Sequence, residues 1–521
     1  MSRGNVRPPV LALLSAVLLV LSFPNFNQSW CAWVALVPWL VLLRDCTPRA
    51  AFQWSFLIGL LFFLASMWWL IHVTLVGWLV LCAYLALYFA LFGRLASRIQ
   101  DAESRMQELV VIPATWVSLE FLRSHLLSGL GWNLLAYSQT PWSALIQMAD
   151  VTGAWGVSHL IVLVNIAIAG LLVKGNPTAS AVRHTVIAVG CVLLAAGYGA
   201  WRLPQLLGGR AVRVAVVQGN VPQEEKWDAA YREGILARYA ALTQTAASTN
   251  PSLIVWPETS VPGSLSIDEE LTQQMIAFAR RVARPLLVGA PIPTIDRTRV
   301  TLRNSAMLVD PEGTLQQRYD KLHLVPFGEF VPGDRYLPWL RRLLPPIGDF
   351  SPGDKYTVFR LRSGFGVQGS GLGFSVLICF EDIFPELARR FVQRGAQLLL
   401  VITNDAWFGP TAAAYQHAQA STFRAIELRV PVARAANTGW SGCIDASGRR
   451  IGSVRDAQGA ELFVDGTHTC DLPLGPGDSV YRRWGDWFAG LCLLLTLIWN
   501  LLSNKGLWSL TPLKGHRIIQ V

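Results

Sequence analysis

Long apolar runs separated by short basic connections fill the first 200 or so positions, a mixed region follows, and one more apolar run stands near the end. The runs Val10–Phe23, Trp30–Leu43, Ala51–Leu70, Val73–Leu91, Leu109–Leu122, His159–Val173, Val186–Trp201 and Trp487–Leu502 predict eight apolar helices. Several fall short of the roughly 20 residues that cross a bilayer upright, so the first two also read as a re-entrant hairpin. Either reading returns the chain to the same side. From Arg213 the period changes. Val214–Gln218, Leu253–Trp256, Pro285–Gly289, Phe374–Ile378, Leu398–Ile402 and Val432–Ala435 read as short strands, alternating with helical periods over Trp227–Ala247, Ile267–Val282, Glu386–Gln393 and Gln416–Leu428. Ser305–Val309 and Leu315–Tyr319 read as a hairpin turned at Asp310-Pro311-Glu312-Gly313, and a second hairpin around Cys443–Arg449 closes the alternation. The chain is therefore expected to be a polytopic α-helical membrane domain over 1–209 with about seven spans, an α/β domain over 210–480, and a final span with a tail over 481–521.

Composition agrees with that division. Of 521 residues, 52% are hydrophobic and 15% charged, with a mean hydropathy of +0.37, too apolar for a soluble globular chain of this length. Alternate connections on one side carry Arg3, Arg7, Arg44, Arg49, Arg94, Arg98, Arg105, Lys174, Arg183, Lys505, Lys514 and Arg517, whereas the opposite short loops carry Arg123 alone. Arg202, Arg210, Arg213, Arg482 and Arg483 flank the long domain, which translocates largely regardless of charge. Both termini are thus expected in the cytoplasm and the 210–480 domain on the far side. Phe23-Pro24-Asn25-Phe26 offers no small-residue cleavage pattern, so the first span is expected to stay attached. Cys31 follows Ser29-Trp30, unlike the small residues that precede a lipid-modified cysteine. The net charge of +10 sits largely at membrane edges, where anionic lipid explains it without nucleic acid. Many of the 21 Trp residues, such as Trp30, Trp68, Trp69, Trp201 and Trp487, stand near span ends as interfacial anchors do.

The candidate chemistry lies at strand ends. Leu377-Ile378-Cys379-Phe380-Glu381-Asp382 places a thiol between an apolar strand and a Pro-initiated helix, Ile254-Val255-Trp256-Pro257-Glu258-Thr259 a carboxylate, and Tyr319-Asp320-Lys321 an amine. A thiol attacks acyl carbon as a thiolate, so a carboxylate to take its proton and an ammonium to favour the charge form a coherent set. Singly, each has a plainer reading: a core thiol, a turn glutamate, a solvated lysine. A Cys379 pairing with His323 or His417 in the papain manner is the weaker constellation. Cys379, Cys443 and Cys470 are the cysteines of the α/β region, which allows at most one internal disulfide and one free thiol. No CxxC or Cys/His zinc spacing occurs, so neither metal nor cofactor is expected.

Glu258, Lys321 and Cys379 in their segments resemble the Glu-Lys-Cys set of the nitrilase superfamily. With the apolar runs on either side, the chain resembles the membrane-bound branch of that superfamily, the apolipoprotein N-acyltransferases; Val325-Pro326-Phe327-Gly328-Glu329, Thr403–Gly409 and Arg434–Gly439 extend the likeness. The resemblance implies a nitrilase-like four-layer α-β-β-α sandwich, with Glu258 as general base, Lys321 stabilising thiolate and oxyanion, and Cys379 as nucleophile. Glu329, Glu381 and Phe380 would support them, the last through its backbone N–H, and Trp227 would touch lipid. It implies a phospholipid acyl donor, phosphatidylethanolamine favoured, a diacylated apolipoprotein acceptor, and residence in the bacterial inner membrane with a periplasmic catalytic domain. Phe380, Trp227 and the Gly129–Trp155 segment are the expected pocket or gate elements. Anchoring has a physical motive, since moving a sixteen-carbon chain into water costs on the order of 12 kcal/mol at about 0.8 per CH2. A membrane-anchored hydrolase would use the same three residues on water. A transporter would put its function in the spans, but Glu120, near a predicted boundary, is their only acidic residue.

Overall fold

The computed structural model describes residues 7–504 apart from 101–104, 173–177, 207, 227, 266, 297–298, 314, 334–335, 337–338, 340–348 and 363–370. Over their described residues the eight apolar runs are mostly helical. Pro48–Ser66, Leu75–Gln100, Ala154–Leu171 and Ala179–Leu206 are long and apolar enough to cross a bilayer, and Pro8–Leu21, Ser29–Leu43 and Trp487–Ser503 are shorter apolar helical stretches. Arg105–His125 is continuous through Pro113. The run from Ser29 is broken into Ser29–Cys31, Ala32–Ala35 and Val37–Leu43, with Pro38 at the start of the last piece, where its missing N–H costs nothing. Asn165 heals the break from a neighbouring helix: its Oδ1 accepts from Leu36 N (2.8 Å) and its Nδ2 donates to Ala32 O (2.9 Å). Val182, Val186, Val189, Leu193 and Leu194 stay exposed along Ala179–Arg202, as a lipid-facing surface requires.

The α/β region holds two six-stranded sheets. The first contains β1 (Ala211–Gln218), β2 (Leu253–Val255), β3 (Leu286–Asp296), β4 (Arg299–Val309), β5 (Leu315–Asp320) and β12 (Gly466–Pro473), in the order β12-β1-β2-β3-β4-β5. The second contains β6 (Phe359–Leu361), β7 (Leu372–Ile378), β8 (Leu398–Thr403), β9 (Val432–Ala436), β10 (Gly442–Ile444) and β11 (Arg450–Ser453), in the order β11-β10-β9-β8-β7-β6. β1, β2 and β3 run parallel, as do β7, β8 and β9, and the outer pairs are antiparallel.

Alternation along β1 explains the layering. Val214 and Val216 join Val255, Val376, Leu400 and Ala433 in the core between the sheets, whereas Ala215 and Val217 join Ile254, Trp256, Tyr239 and Phe278 beneath the helices. Helices Arg232–Ala247 and Glu269–Val282 cover the first sheet, and Pro385–Gln393 and Ala413–Leu428 cover the second. The result is an α-β-β-α sandwich whose central strands, buried on both faces, read as unbroken apolar runs. A disulfide joins Cys443 of β10 to Cys470 of β12 and so ties one sheet to the other; Cys379 is free.

Candidate active site

Three strand ends deliver the three expected groups. Glu258 follows β2, Lys321 follows β5 directly, and Cys379 follows β7 directly. β5 and β7 lie in different sheets, and Glu381 stitches their ends together. Its carboxylate accepts from Tyr319 Oη (2.7 and 2.9 Å), Leu322 N (2.7 Å), His323 N (3.0 Å) and Ile378 N (2.8 Å). Burial pushes the Glu381 carboxyl up to about 7 against the pull of these donors and of Lys321. With every partner donating, we take the ionised form as the one this shell is built for.

Lys321 is 1% exposed. Its Nζ lies 2.8 Å from Glu329 Oε2 and 3.8 Å from Glu258 Oε1. Burial works against the ammonium, yet the charges of Glu329, Glu258 and Cys379 outweigh it and hold Lys321 above the ordinary lysine range. Asn304 of β4 reaches both carboxylates through Nδ2, at 2.7 Å from Glu258 Oε1 and 3.0 Å from Glu329 Oε1. Glu329 Oε2 also accepts from Val325 N at 2.8 Å, closing the 325–329 turn on itself. A second buried cation, Lys226, donates to Glu258 O and Thr259 Oγ1, both at 3.0 Å, and burial pulls it down to about 8 against the charges of Glu258 and Cys379. Gly289 on β3 makes room for this turn: a Cβ there would stand 2.5 Å from Pro257 O and 2.8 Å from Glu258 Cα.

Cys379 is partly buried and adopts φ +54°, a left-handed conformation that costs a non-glycine residue about 1–3 kcal/mol. The strain turns the chain sharply out of β7 into the short helix Cys379–Ile383. Burial and then the charge of Glu258 push the thiol up, and Lys321 pulls it down without prevailing, so the resting group is the thiol. Phe380 packs edge-on to Phe384 with ring centroids 5.1 Å apart.

Behind the turn lies a fully buried cluster. Asp382 is paired with Arg434 (2.8 Å) and His417 (2.8 Å), and Asp405 with His417 (3.0 Å) and Arg434 (3.3 Å). His417 Nε2 stands 3.2 Å from the Cys379 carbonyl oxygen, so His417 meets the backbone of the cysteine. His323 stacks on Phe384 at 3.9 Å between centroids. Trp132, from the Gly129–Trp155 segment, lies 5.2 Å from the His417 ring, which brings that segment beneath the turn. Trp227 lies outside the described residues.

Sequence reasoning missed Lys226, Asn304 and the role of His417. Asn304 sits in the polar half of its strand, after Thr301 and Arg303, so nothing marks it out, and Lys226 follows Glu224-Glu225 and looks like a solvated run. Among the described residues, His125, Glu386 and Asp486 bring possible metal-ligand atoms within 4.8 Å of one another, but none of them belongs to this cluster.

Residues 15–167 match the family profile described as the apolipoprotein N-acyltransferase N-terminal domain, and residues 213–464 match that of the carbon-nitrogen hydrolases. Proteins named apolipoprotein N-acyltransferase are similar along nearly the whole chain. The one from Geobacter metallireducens is 39% identical, covering 94% of this chain and 93% of its own. That of Chlorobaculum tepidum is 32% identical over 95% and 96%, and that of Brucella suis 31% over 94% and 94%. An amidase of Nesterenkonia sp. shares 19% identity, covering 55% of this chain and 98% of its own with a TM-score of 0.37, too slight a likeness to argue from.

Proposed function

The chain belongs to the apolipoprotein N-acyltransferase family, and from that premise we propose that Cys379 carries an acyl chain from a membrane phospholipid to the N-terminal α-amine of diacylglyceryl-cysteine on an apolipoprotein. One observation carries the assignment of roles: Glu258 and Lys321, tied to Glu329 in a buried, hydrogen-bonded ion cluster, are close enough for their charges to act on the free thiol at the β7 turn.

In the first half, Glu258 takes the thiol proton as sulfur attacks the ester carbonyl, and Lys321 with the Phe380 N–H receives the developing oxyanion. Because the resting thiol is held up, proton removal belongs to the attack itself. The C–O bond breaks, the lysophospholipid oxygen takes the proton from Glu258, and a thioester remains. In the second half the neutral α-amine, whose pKa lies near 8, attacks the thioester. An amide forms, sulfur leaves, and Glu258 relays the amine proton to it. Glu329 and Asn304 fix the Glu258–Lys321 spacing, and Glu381 fixes Lys321 against the turn. Phosphatidylethanolamine is the favoured donor, and Trp227 is assigned to lipid contact.

The protein is a membrane protein. We place 1–209 and 481–521 in the bacterial inner membrane, with about seven spans and one, both termini in the cytoplasm, and 210–480 in the periplasm. The Cys443–Cys470 disulfide supports that side, since such bonds persist in oxidising compartments.

The test is intact-mass analysis of purified protein incubated with phosphatidylethanolamine, alongside Cys379→Ser, followed by a diacylated lipopeptide. A hydroxylamine-sensitive acyl adduct on the wild type that moves to the peptide amine is expected. An adduct lost only to water would make the protein a hydrolase, and no adduct would end the lipid-donor reading.

A further inference from the structure

We propose that His417 is a positioning residue: by holding the carbonyl of the 379–380 peptide, it aims the N–H of that same peptide into the acyl site. The inference rests on the reading of Cys379 as the nucleophile. A peptide unit is planar and trans, so its N–H and C=O point in opposite directions. Fixing the Cys379 oxygen toward helix Ala413–Leu428 therefore turns the Phe380 N–H away from that helix. Cys379, left-handed at φ +54°, opens the short helix Cys379–Ile383, so the helical turn and the His417 contact together orient this peptide.

The surroundings of His417 settle which nitrogen carries hydrogen. The ring is 1% exposed. Its Nε2 faces the Cys379 carbonyl oxygen at 3.2 Å and Asp382 Oδ1 at 2.8 Å, both acceptors. Its Nδ1 faces Asp405 Oδ1 at 3.0 Å, an acceptor, and an Arg434 Nη2 at 2.6 Å, a donor. A lone pair at Nε2 would meet two oxygen lone pairs. The neutral ring therefore holds its hydrogen on Nε2 and accepts from Arg434 at Nδ1, and the charged ring has hydrogen on both nitrogens. In either state Nε2–H donates to Cys379 O. Trp132 packs on the ring at 5.2 Å, and Ser421 with Arg434 holds Asp382, so the ring cannot swing.

Gln and Asn separate this role from charge. Both remove the imidazolium, but Gln carries an N–H at the place of Nε2 and Asn at that of Nδ1. The measurement is the rate of thioester formation from phosphatidylethanolamine divided by the rate of Cys379 alkylation by iodoacetamide, a reaction that needs no oxyanion donor. His417→Asn is expected to lower the ratio about 100-fold, the effect of losing one oxyanion donor, and His417→Gln to recover most of it. Equal ratios in the two variants would overturn the inference. If the wild type alkylates but forms no thioester, the parent reading fails and takes the inference with it. If neither variant folds, nitrogen NMR of isotopically labelled wild-type enzyme decides: an Nε2 without hydrogen overturns the proposal, and a protonated Nε2 coupled to the Cys379 carbonyl supports it.

Discussion

Lys321 holds Glu258 and Glu329 together and is the residue on which the proposed chemistry leans hardest. Removing one member of a buried ion pair leaves the others uncompensated, and removing an oxyanion donor costs roughly 3–4 kcal/mol of transition-state stabilisation. Lys321→Met is therefore expected to slow thioester formation on the order of 100- to 1,000-fold in a single-turnover assay; a loss under tenfold would exclude it as a donor. His417 sets a pH response. Burial and Arg434 oppose its charge, yet Asp382 and Asp405 raise it to about 8 from the ordinary 6.5. A folded-state value above the unfolded one gives stability that is complete below about pH 6.5 and is lost as pH rises through about 8. The thermal midpoint should fall over that window in the wild type and less in His417→Gln; parallel slopes would refute the assignment. Glu258 and Cys379, the proposed base and nucleophile, stood out because each follows the end of an apolar run, and Lys321 because its segment is recognisable. Lys226 did not, because burial of a lysine after two glutamates depends on what folds over it.

At the scale of elements, strands buried on both faces and the marginal hairpin of β4 and β5 were easy to read, whereas the edge strands β12 and β6 were not. β12 alternates polar residues, Thr467, Thr469 and Asp471 among them, and earns its place by pairing with β1 across more than 250 residues, Val214 opposite Cys470. β6 is three residues long and pairs only with β7. The second apolar run shows the limit of hydropathy: its composition predicted one helix, and Pro38 with Asn165 made it several pieces. Close packing between β3 and the turn after β2 gives an element-scale prediction. A methyl at Gly289 meets backbone on Pro257, Glu258 and Thr259, which cannot rotate aside. Gly289→Ala should displace Glu258 and cut thioester formation at least tenfold, with a modest fall in thermal midpoint from overpacking of about 1–3 kcal/mol. Unchanged acylation would show that the turn has slack.

In the whole molecule, Gln416 joins the membrane helices to the sandwich. Its Oε1 accepts from Trp69 Nε1 (3.1 Å) and Trp132 Nε1 (2.9 Å), and its Nε2 donates to Pro24 O (3.0 Å) and Ser66 O (2.9 Å). It is the neighbour of His417, so the helix that holds the cysteine carbonyl also anchors the membrane domain. Each buried polar group left unpaired costs about 1–3 kcal/mol. Gln416→Leu should therefore lower the thermal midpoint and the acylation rate together, and a variant of wild-type stability would show that the two parts dock by apolar contact alone. The sequence by itself determined the apolar helices and the strand–helix alternation, and pointed to the three side chains proposed to react, because burial of both strand faces, helical period and turn residues are local properties of the chain. Only the tertiary structure decided that Asn304 and Lys226 stand against Glu258, how Glu381 bridges the two strand ends, and that His417 faces a carbonyl. Those contacts join residues dozens of positions apart, and their energy exists only once burial removes water from around the charges.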